Sequence, residues 1–357
     1  MINLGLYKYL VKPFLYRMDA EKAHNLSLQL LKFGFVPSIK QFSKPELAQD
    51  LWGMRFENPI GLAAGFDKNA IAVGGLNRLG FGFIELGTVT PKPQAGNARP
   101  RIFRLSEDEG VINRLGFNNH GLETFKTRLS KFRSDQLNTI IGVNIGKNRD
   151  SSDPIADYVE CMRKCYSVSD YIVLNISSPN TPGLRNLQTK SSLEELLSAV
   201  FEENSPAQQK TPILLKISPD LSENEIVEVA EAAKHFKVRG LIATNTTTSR
   251  SKHLGSKNKT EKGGLSGRPL FRLSTQVLKL LYRHTDGRIP IIGVGGVRCG
   301  KDAYSKIRSG ASLIQIYTAM IYQGPYVAHK IACELSSLLK KDGLANVKDA
   351  VGIDVYI

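Results

Sequence analysis

The segment DYIVLNISSPNT (170–181) decides the fold, because it joins a buried strand to a turn of small and polar residues. Its first half, YIVLNIS (171–177), is a nearly continuous apolar run rich in β-branched residues, as expected of a strand buried on both faces. Amphipathic segments precede and follow it, at 154–168 and 191–202. A buried strand between two helices predicts a parallel sheet covered by helices.

Seven further runs have the same character and alternate with amphipathic segments. They are PIGLAAG (59–65), FIELGTV (83–89), IIGVNIG (140–146), PILLKIS (212–218), GLIATNT (240–246), IPIIGVGG (289–296) and ASLIQIYT (311–318). Eight strand–helix units in one α/β chain predict a single closed (β/α)8 barrel. A doubly wound open sheet is the alternative; it predicts a G-x-G-x-x-G after the first strand, and none follows residue 65.

One connection is too long for a simple helix and is expected to cross the barrel mouth, and a second, smaller excursion is expected to be mobile. Residues 90–139 carry several prolines and glycines. Within them, RIFRL (101–105) and GVIN (110–113) are predicted to pair as a small antiparallel ribbon. The second connection, 247–268, is basic.

The first 45 residues are predicted to form a helical segment of their own, followed by the barrel over 46–357. LGLYKYLVKPFLYRM (4–18) is apolar and aromatic, and Asp19 is placed to cap a helix that ends at Gly34. One interpretation is a lid packed on the barrel. The other is an apolar platform on a membrane surface, and the two are compatible.

The formal net charge of +15 indicates an anionic partner: nucleic acid, a membrane surface or a small ligand. No run of five basic residues occurs, so we predict no nucleic-acid partner. The four cysteines form no C-x-x-C pair and are expected to be reduced thiols. No stretch approaches the roughly 20 apolar residues of a transmembrane helix.

The predicted strand ends, where a barrel of this type builds its site, are rich in Asn, Thr, Ser, Gly and Lys. Asp67 is the only acid among them, which disfavours a glycosidase or a zinc hydrolase, and we predict no metal. Side-chain amides offer both donors and acceptors, which suits a planar heterocycle. The amides in question are Asn113, Asn144, Asn175, Asn180 and Asn245.

Lys216 lies inside an otherwise apolar strand, where an unpaired charge is costly. A ligand anion such as a reduced flavin is one partner, a Schiff-base role in an aldolase is a second interpretation, and an internal salt bridge is a third. Glycines in GGLSG (263–267) and GVGG (293–296), with YTA (317–319), indicate a phosphorylated cofactor at the last two strands.

Several of these motifs taken together resemble the class 2 (quinone-dependent) dihydroorotate dehydrogenases of bacterial type, over about residues 19–320. They are AAGFDKN, GTVTPKPQAGNARPRIFRL, INRLGFNN, GVNIGKN, NISSPNTPGLRNLQ, TNTT, GGLSGRPL and IIGVGGV. The resemblance implies an enzyme that oxidises dihydroorotate to orotate in de novo pyrimidine (UMP) biosynthesis. It also implies one FMN per chain, hydride transfer to that flavin, and flavin reoxidation by a membrane quinone.

The resemblance further implies roles for individual residues, with Ser178 as the catalytic base. Spacing alone leaves Ser177 as the alternative base, although neighbouring strand-end residues point in opposite directions. Phe117 and Thr181 would flank a proton-relay water. The implied substrate-binding residues are Lys68, Asn113, Arg114, Leu115 (in a shaping role), Gly116, Phe117, Asn175, Asn180, Asn245 and Thr246. The implied cofactor-binding residues are Ala64, Gly65, Phe66, Asp67, Lys68, Thr88, Asn144, Asn175, Lys216, Thr244, Gly267, Gly296, Tyr317 and Thr318. His24 and Arg104 would lie near the quinone.

The implied partners are dihydroorotate, orotate, a membrane quinone and an anionic membrane surface. Mitochondrial members carry a targeting sequence and a membrane-spanning helix that this sequence does not show. We therefore expect a peripheral protein on the cytoplasmic face of the inner membrane.

Overall fold

The computed structural model describes residues 7–36, 38–134, 139–203 and 210–356. The strands in these ranges are β1 (Gln49–Leu51), β2 (Met54–Phe56), β3 (Ile60–Leu62), β4 (Phe83–Val89), β5 (Ile102–Leu105), β6 (Gly110–Asn113), β7 (Ile140–Ile145), β8 (Tyr171–Asn175), β9 (Ile213–Ile217), β10 (Gly240–Ala243), β11 (Gly264–Gly267), β12 (Ile291–Val294) and β13 (Ala311–Ile316). The α-helices are α1 (Lys12–Arg17), α2 (Ala20–Lys32), α3 (Val73–Asn77), α4 (Leu122–Ser134), α5 (Pro154–Cys165), α6 (Lys190–Glu202), α7 (Glu223–His235), α8 (Phe271–His284), α9 (Gly300–Arg308), α10 (Thr318–Gln323) and α11 (Val327–Lys341).

Eight parallel strands close into a barrel in the order β10-β12-β13-β3-β4-β7-β8-β9. Each lies within one of the eight runs expected from the sequence, so the predicted (β/α)8 barrel is confirmed. The strands are apolar throughout because both of their faces are covered; all seven residues of β4, for example, are buried. Parallel strands place all their carboxyl ends at one mouth of the barrel, which is where the site is built.

A short hairpin of β1 and β2 closes the opposite end of the barrel. Its two-residue turn is Trp52-Gly53, both with positive φ, the conformation that suits a tight hairpin. Phe56 packs edge-on against Phe83 at a centroid separation of 5.5 Å, and Trp52 Nε1 donates to the Arg239 carbonyl oxygen at 2.6 Å. The sequence analysis did not predict this hairpin. It fills the amino-terminal end of the barrel with aromatic side chains.

The two long connections meet over the barrel mouth in one three-stranded sheet of order β11-β6-β5. The pairing of β5 with β6 confirms the predicted antiparallel ribbon. The third strand, β11, comes from the basic connection and was not predicted. The carboxylate of Asp108 also accepts the backbone N–H groups of Gly255 and Ser256 at 3.0 Å, which holds the two connections together.

The N-terminal segment consists of a π-helical turn (Tyr7–Val11), α1 and α2. Asp19 caps α2 as predicted, its carboxylate accepting backbone N–H groups of Glu21 and Lys22 at 3.0 Å. Residues 4–6 of the first predicted helix lie outside the described residues. Among the helices that are described, none combines the length and apolarity needed to cross a bilayer.

Candidate active site

One cavity of about 520 Å³ occupies the carboxyl-terminal mouth of the barrel and continues beneath the N-terminal segment. Its inner wall is made by strand ends, including Ser178, Lys216 and Asn245. Its outer wall is made by the N-terminal helices, including Leu15, His24 and Leu30. The polar strand ends and the apolar helices therefore face a single enclosed space.

The two neighbouring serines of the β8 turn differ in their surroundings. Ser177 is fully buried; its Oγ donates to Asn175 Oδ1 at 3.3 Å and accepts from Asn245 Nδ2 at 3.1 Å. Ser178 lines the cavity, and its Oγ accepts the backbone N–H of Asn180 at 3.3 Å. Of the two serines, only Ser178 lines the cavity.

The predicted amides converge into connected hydrogen bonds. Asn175 Nδ2 donates to Asn144 Oδ1 at 3.0 Å, and Asn245 Nδ2 donates to Asn175 Oδ1 at 3.1 Å. Asn180 Nδ2 donates to Asn113 Oδ1 at 3.3 Å across the mouth. Mutual hydrogen bonds fix the orientation of each amide, so the site offers donors and acceptors in set directions.

Lys216 has an acidic partner inside the protein. Its Nζ lies 3.5 Å from Glu85 Oε1, and both side chains are almost completely buried. Asn144 Nδ2 and Gln315 Nε2 donate to the two oxygens of Glu85 at 2.8 and 2.5 Å, which satisfies the rest of the carboxylate. The salt-bridge interpretation of Lys216 is confirmed. An ammonium already paired with a carboxylate is a poor carbonyl nucleophile, which disfavours the aldolase interpretation.

Lys68 and Asp67 are adjacent but point to different environments. Lys68 lines the cavity and its Nζ donates to the Gly65 carbonyl oxygen at 2.6 Å; burial lowers its pKa to about 8. Asp67 lies outside the cavity and accepts backbone N–H groups of Asn69, Ile71 and Ala72. Burial raises the pKa of Asp67, and these three donors oppose the increase. Asp67 thus shapes the loop after β3, while Lys68 faces the cavity.

The far wall of the cavity is made by glycine turns. Gly267 and Gly296 have φ values of 88° and 75°. A Cβ on Gly267 would lie 2.3 Å from the Glu109 carbonyl oxygen, and one on Gly296 would lie 2.6 Å from Phe271 Cβ. Only glycine fits either position, and Tyr317 and Thr318 complete this wall.

Residues 46–339 match the family model described as dihydroorotate dehydrogenase. The chain is 49% identical over 357 residues to dihydroorotate dehydrogenase (quinone) of Xanthobacter autotrophicus, covering 99% of this chain and 100% of that one. The chain belongs to the dihydroorotate dehydrogenase family. It is 47% identical to the mitochondrial dihydroorotate dehydrogenase (quinone) of Mus musculus, covering 97% of this chain and 90% of the other.

Solved structures of the same family superpose closely. The dihydroorotate dehydrogenase of Eimeria tenella in complex with ferulenol gives a TM-score of 0.90 at 41% identity, covering 94% of this chain and 95% of that one. The ligand-free enzyme of the same organism gives 0.91 at 42% identity, covering 94% and 99% of the two chains. The resemblance to the quinone class, inferred from the sequence, is confirmed, and the chain is an oxidoreductase of a flavin-dependent family.

Most of the residues that the family resemblance singled out lie on the cavity wall of this dihydroorotate dehydrogenase family member. Those that line it are His24, Ala64, Gly65, Phe66, Lys68, Thr88, Arg104, Asn113, Leu115, Gly116, Phe117, Asn175, Ser178, Asn180, Lys216, Thr244, Asn245, Thr246, Gly267, Gly296, Tyr317 and Thr318. Asp67, Arg114 and Asn144 do not line it. Arg114 pairs with Glu261 at 2.7 Å and faces a second, smaller hollow behind the 179–182 turn.

The N-terminal end of the cavity contains the two residues assigned to the quinone. Arg104 donates to the Leu15 and Met18 carbonyl oxygens at 3.2 and 2.9 Å, which attaches β5 to the N-terminal segment. His24 packs edge-on against Phe66 at 5.2 Å. Burial, followed by the positive charge of Lys68, lowers the pKa of His24 to about 3, so this ring is neutral at physiological pH.

Sequence reasoning missed two acids that organise this dihydroorotate dehydrogenase site. Glu85 supports Lys216 from inside β4. Glu21 of α2 receives hydrogen bonds from Arg101 at 2.7 and 3.0 Å, and Arg101 also donates to the Asn97 carbonyl oxygen. Asn97 in turn donates to the Asn180 carbonyl oxygen at 3.1 Å, so the N-terminal segment is tied to the turn beside Ser178. Glu85 lies in an otherwise apolar strand, and that mismatch was the available signal; Glu21, in the first turn of a helix, gave none.

Proposed function

We propose that this chain oxidises dihydroorotate to orotate in pyrimidine biosynthesis, with FMN as its flavin and a membrane quinone as the electron acceptor. The single observation that carries the proposal is the shared cavity. It joins the amide-rich strand ends around Ser178 to the apolar N-terminal segment without an intervening wall. A polar ring substrate and a lipid-soluble acceptor can therefore approach one flavin from different sides.

The substrate end is proposed to lie between Ser178 and the amides of Asn113, Asn175, Asn180 and Asn245. Dihydroorotate is a small ring with amide groups and a carboxylate. The amides match the ring, and the Lys68 ammonium, held at the Gly65 carbonyl, offers a charge for the carboxylate. Arg114, Leu115, Gly116, Phe117 and Thr246 complete the proposed set.

The chain's residues fit FMN on three grounds. Gly267 and Gly296 have no room for a side chain, so backbone approaches the cavity where a phosphate would lie. Lys216 supplies a fixed cation toward the flavin ring. Thr88 and Thr244 also face the cavity. One FMN per chain would be held by the cofactor-binding residues assigned from the family resemblance. When bound, FMN would supply the acceptor for the substrate's hydride and the donor of electrons to the quinone.

Ser178 is proposed as the base that removes the substrate's ring proton. Its Oγ is free to accept that proton only if its own proton leaves through a relay. Thr181 Oγ1 is buried and has no hydrogen-bond partner within the described part of the chain, as expected of a group that waits for a water. Phe117 lines the cavity. Ser177, by contrast, already has both its hydrogen bonds inside the protein.

The function is tested by the colour of the purified protein. We expect a yellow protein whose visible absorption bleaches when dihydroorotate is added without oxygen and returns when a quinone is added. Acid release followed by chromatography should identify the flavin as FMN. A protein that binds FMN yet is bleached by neither dihydroorotate nor related ring acids would contradict the assigned substrate.

We propose that residues 1–45 form the quinone entrance and membrane-contact segment and residues 46–357 the FMN-binding barrel. Seven of the nine large apolar side chains that the described ranges expose lie in the N-terminal segment: Tyr9, Leu10, Val11, Phe14, Leu30, Phe33 and Phe35. Lys8, Arg17 and Lys32 lie among them, which suits an anionic lipid surface. His24 and Arg104 would flank the quinone. The proposed location is peripheral, on the cytoplasmic face of the inner membrane.

The membrane contact is tested by replacing Leu10, Phe14 and Phe33 together with serine. None of the three lines the cavity, so substrate-driven bleaching should be unchanged. Each large apolar side chain is worth about 1.5–3 kcal/mol when buried, so binding to anionic phosphatidylglycerol vesicles should weaken at least about tenfold. Reduction of vesicle-embedded quinone should fall with it, while a water-soluble quinone is still reduced.

Tyr356→Ser is the matched control, because Tyr356 is 71% exposed but lies at the other end of the sequence. It should leave vesicle binding unchanged. Equal vesicle binding by the triple variant and the wild type would remove the N-terminal segment from the membrane contact.

A further inference from the structure

Lys306 of α9 is a fully buried lysine without an acidic partner. Its Nζ donates to Ser274 Oγ at 2.9 Å and to Thr275 Oγ1 at 3.1 Å, and lies 5.2 Å from the Phe271 ring centroid. No salt bridge to Lys306 occurs within the ranges that the structure describes. The nearest acid along its helix, Asp302, is paired with Arg298 at 3.3 Å. A buried cation held only by hydroxyl groups is costly to the fold and calls for an explanation.

The ammonium lies directly behind the glycine turn of the cavity. Ser274 Oγ, which accepts from Lys306, lies within donating distance of the Phe271 and Gly295 carbonyl oxygens, at 3.1 and 3.2 Å. A Cβ on Gly295 would lie 2.6 Å from Ser274 Oγ, so this turn rests on the first turn of α8. Gly295 and Gly296 both line the cavity. Lys306 is therefore two hydrogen bonds away from the backbone that forms the cavity wall.

Two sources of positive potential lie near the glycine turn: the start of α8 and the Lys306 side chain. α8 begins at Phe271, whose backbone packs against Gly296, so the positive end of the helix dipole lies beside the glycine turn. Lys306, when protonated, adds a positive charge beside the same turn, where it repels that dipole end. Burial lowers the pKa of Lys306 to about 7, and the charge of Asp302 opposes this decrease only in part. A bound anion in front of Gly295 and Gly296 would supply that compensation.

We infer that Lys306 is a positioning residue for the phosphate of the cofactor, acting from behind the Gly295–Gly296 turn as a buried counter-charge and as the anchor of Ser274. The inference rests on the proposed FMN site. Lys306 does not touch the cofactor. Its charge acts through the protein on the phosphate, and its hydrogen bond to Ser274 fixes the turn that receives the phosphate. Because Lys306 contacts only residues behind the glycine turn, it would affect the binding of the phosphate more than that of the flavin ring.

Lys306→Met in the full-length chain tests the inference, because methionine keeps most of the length of the side chain and removes the charge. After the flavin is stripped, FMN and riboflavin are titrated separately by fluorescence quenching. We expect the Kd for FMN to rise about tenfold or more, as for the loss of one charge near a partly buried anion. The Kd for riboflavin, which lacks the phosphate, should change less than about twofold. The thermal midpoint of the flavin-free protein should stay the same or rise, because an unpaired buried charge has been removed.

Lys301→Met is the matched control, since Lys301 is an exposed lysine on the same helix, and it should alter neither Kd. Ser274→Ala is the second variant, which keeps the test decisive if Lys306→Met does not fold. Ser274→Ala should raise the Kd for FMN more than the Kd for riboflavin. Its effect on the Kd for FMN should be smaller than that of Lys306→Met. Equal weakening of both flavins in Lys306→Met, or unchanged FMN binding, would overturn the inference. Failure of the wild-type chain to bind FMN would instead overturn the proposed function.

Discussion

Replacing Ser178 with alanine is expected to slow flavin reduction by dihydroorotate by about 10²–10⁴-fold or more, while the protein keeps its yellow colour. The loss follows from the position of the hydroxyl: Ser178 lines the cavity, and its Oγ makes one hydrogen bond, to the Asn180 backbone N–H. Alanine preserves the backbone and the cavity shape. Anaerobic stopped-flow measurement of the absorbance decrease isolates this half-reaction from the later reaction with quinone.

Ser177→Ala is the control that the sequence itself offers. Its hydroxyl is buried between Asn175 and Asn245, away from the cavity, so its removal should change amide orientation slightly and the reduction rate by less than about tenfold. The opposite ranking, with Ser177→Ala slow and Ser178→Ala unaffected, would transfer the role of base to Ser177. If both variants reduced the flavin at the normal rate, neither serine would be the catalytic base.

A serine can act as a base only in a closed site that carries its proton away. The 179–188 segment fits such a closure. Arg185 is paired with Asp220 at 2.9 Å and donates to the Ser177 and Thr246 carbonyl oxygens, which clamps the segment across the β8 and β10 strand ends. The buried hydroxyl of Thr181, which has no hydrogen-bond partner among the described residues, lies within the same segment.

The fold could be predicted because each barrel strand lies in an apolar run of the sequence. A strand that is buried on both faces is apolar at nearly every position, so these runs indicate a parallel sheet covered by helices. The β1–β2 hairpin was missed because its strands are three residues each and carry mixed polarity. The only local signal was Trp52-Gly53, a two-residue turn. The β11 strand was missed because GGLSG has no strand propensity. It pairs with β6 in the structure, where a hydrogen bond from Gly255 to Asp108 also holds the 247–268 connection.

The sequence predicted that the site lies at the strand ends. It did not predict which groups would pair with the charged side chains there. The family resemblance implies Asp67 as a cofactor-binding residue, and the structure shows in addition that its carboxylate accepts three backbone N–H groups of its own loop. Glu85 was overlooked because it lies in the middle of β4. The register between the strands of the closed barrel decides which side chains meet inside it. The sequence pattern does not specify that register. Two isolated charges in apolar strands, Glu85 and Lys216, were nevertheless a sign of a buried pair.

The pairing of Glu85 with Lys216 predicts a large loss of stability when either residue is changed alone. Glu85→Gln leaves a buried ammonium without its acid, and Lys216→Met leaves a buried carboxylate without its cation. Breaking a buried pair from one side typically costs about 3–5 kcal/mol. Urea unfolding of the flavin-free chain, compared with the wild type, should therefore show each single variant less stable by about that amount.

The double variant separates an ion pair from two independent buried residues. If the charges depend on each other, Glu85→Gln with Lys216→Met leaves neither charge uncompensated, and its loss in unfolding free energy is smaller than the sum of the single losses. Lys147→Met is a matched control, because Lys147 is also buried but its Nζ reaches only the Asn148 and Arg149 carbonyl oxygens at 3.3 Å. Combined with Glu85→Gln, it should give additive losses. Additivity in the Glu85–Lys216 pair as well would mean that Asn144 and Gln315, rather than Lys216, stabilise the Glu85 carboxylate.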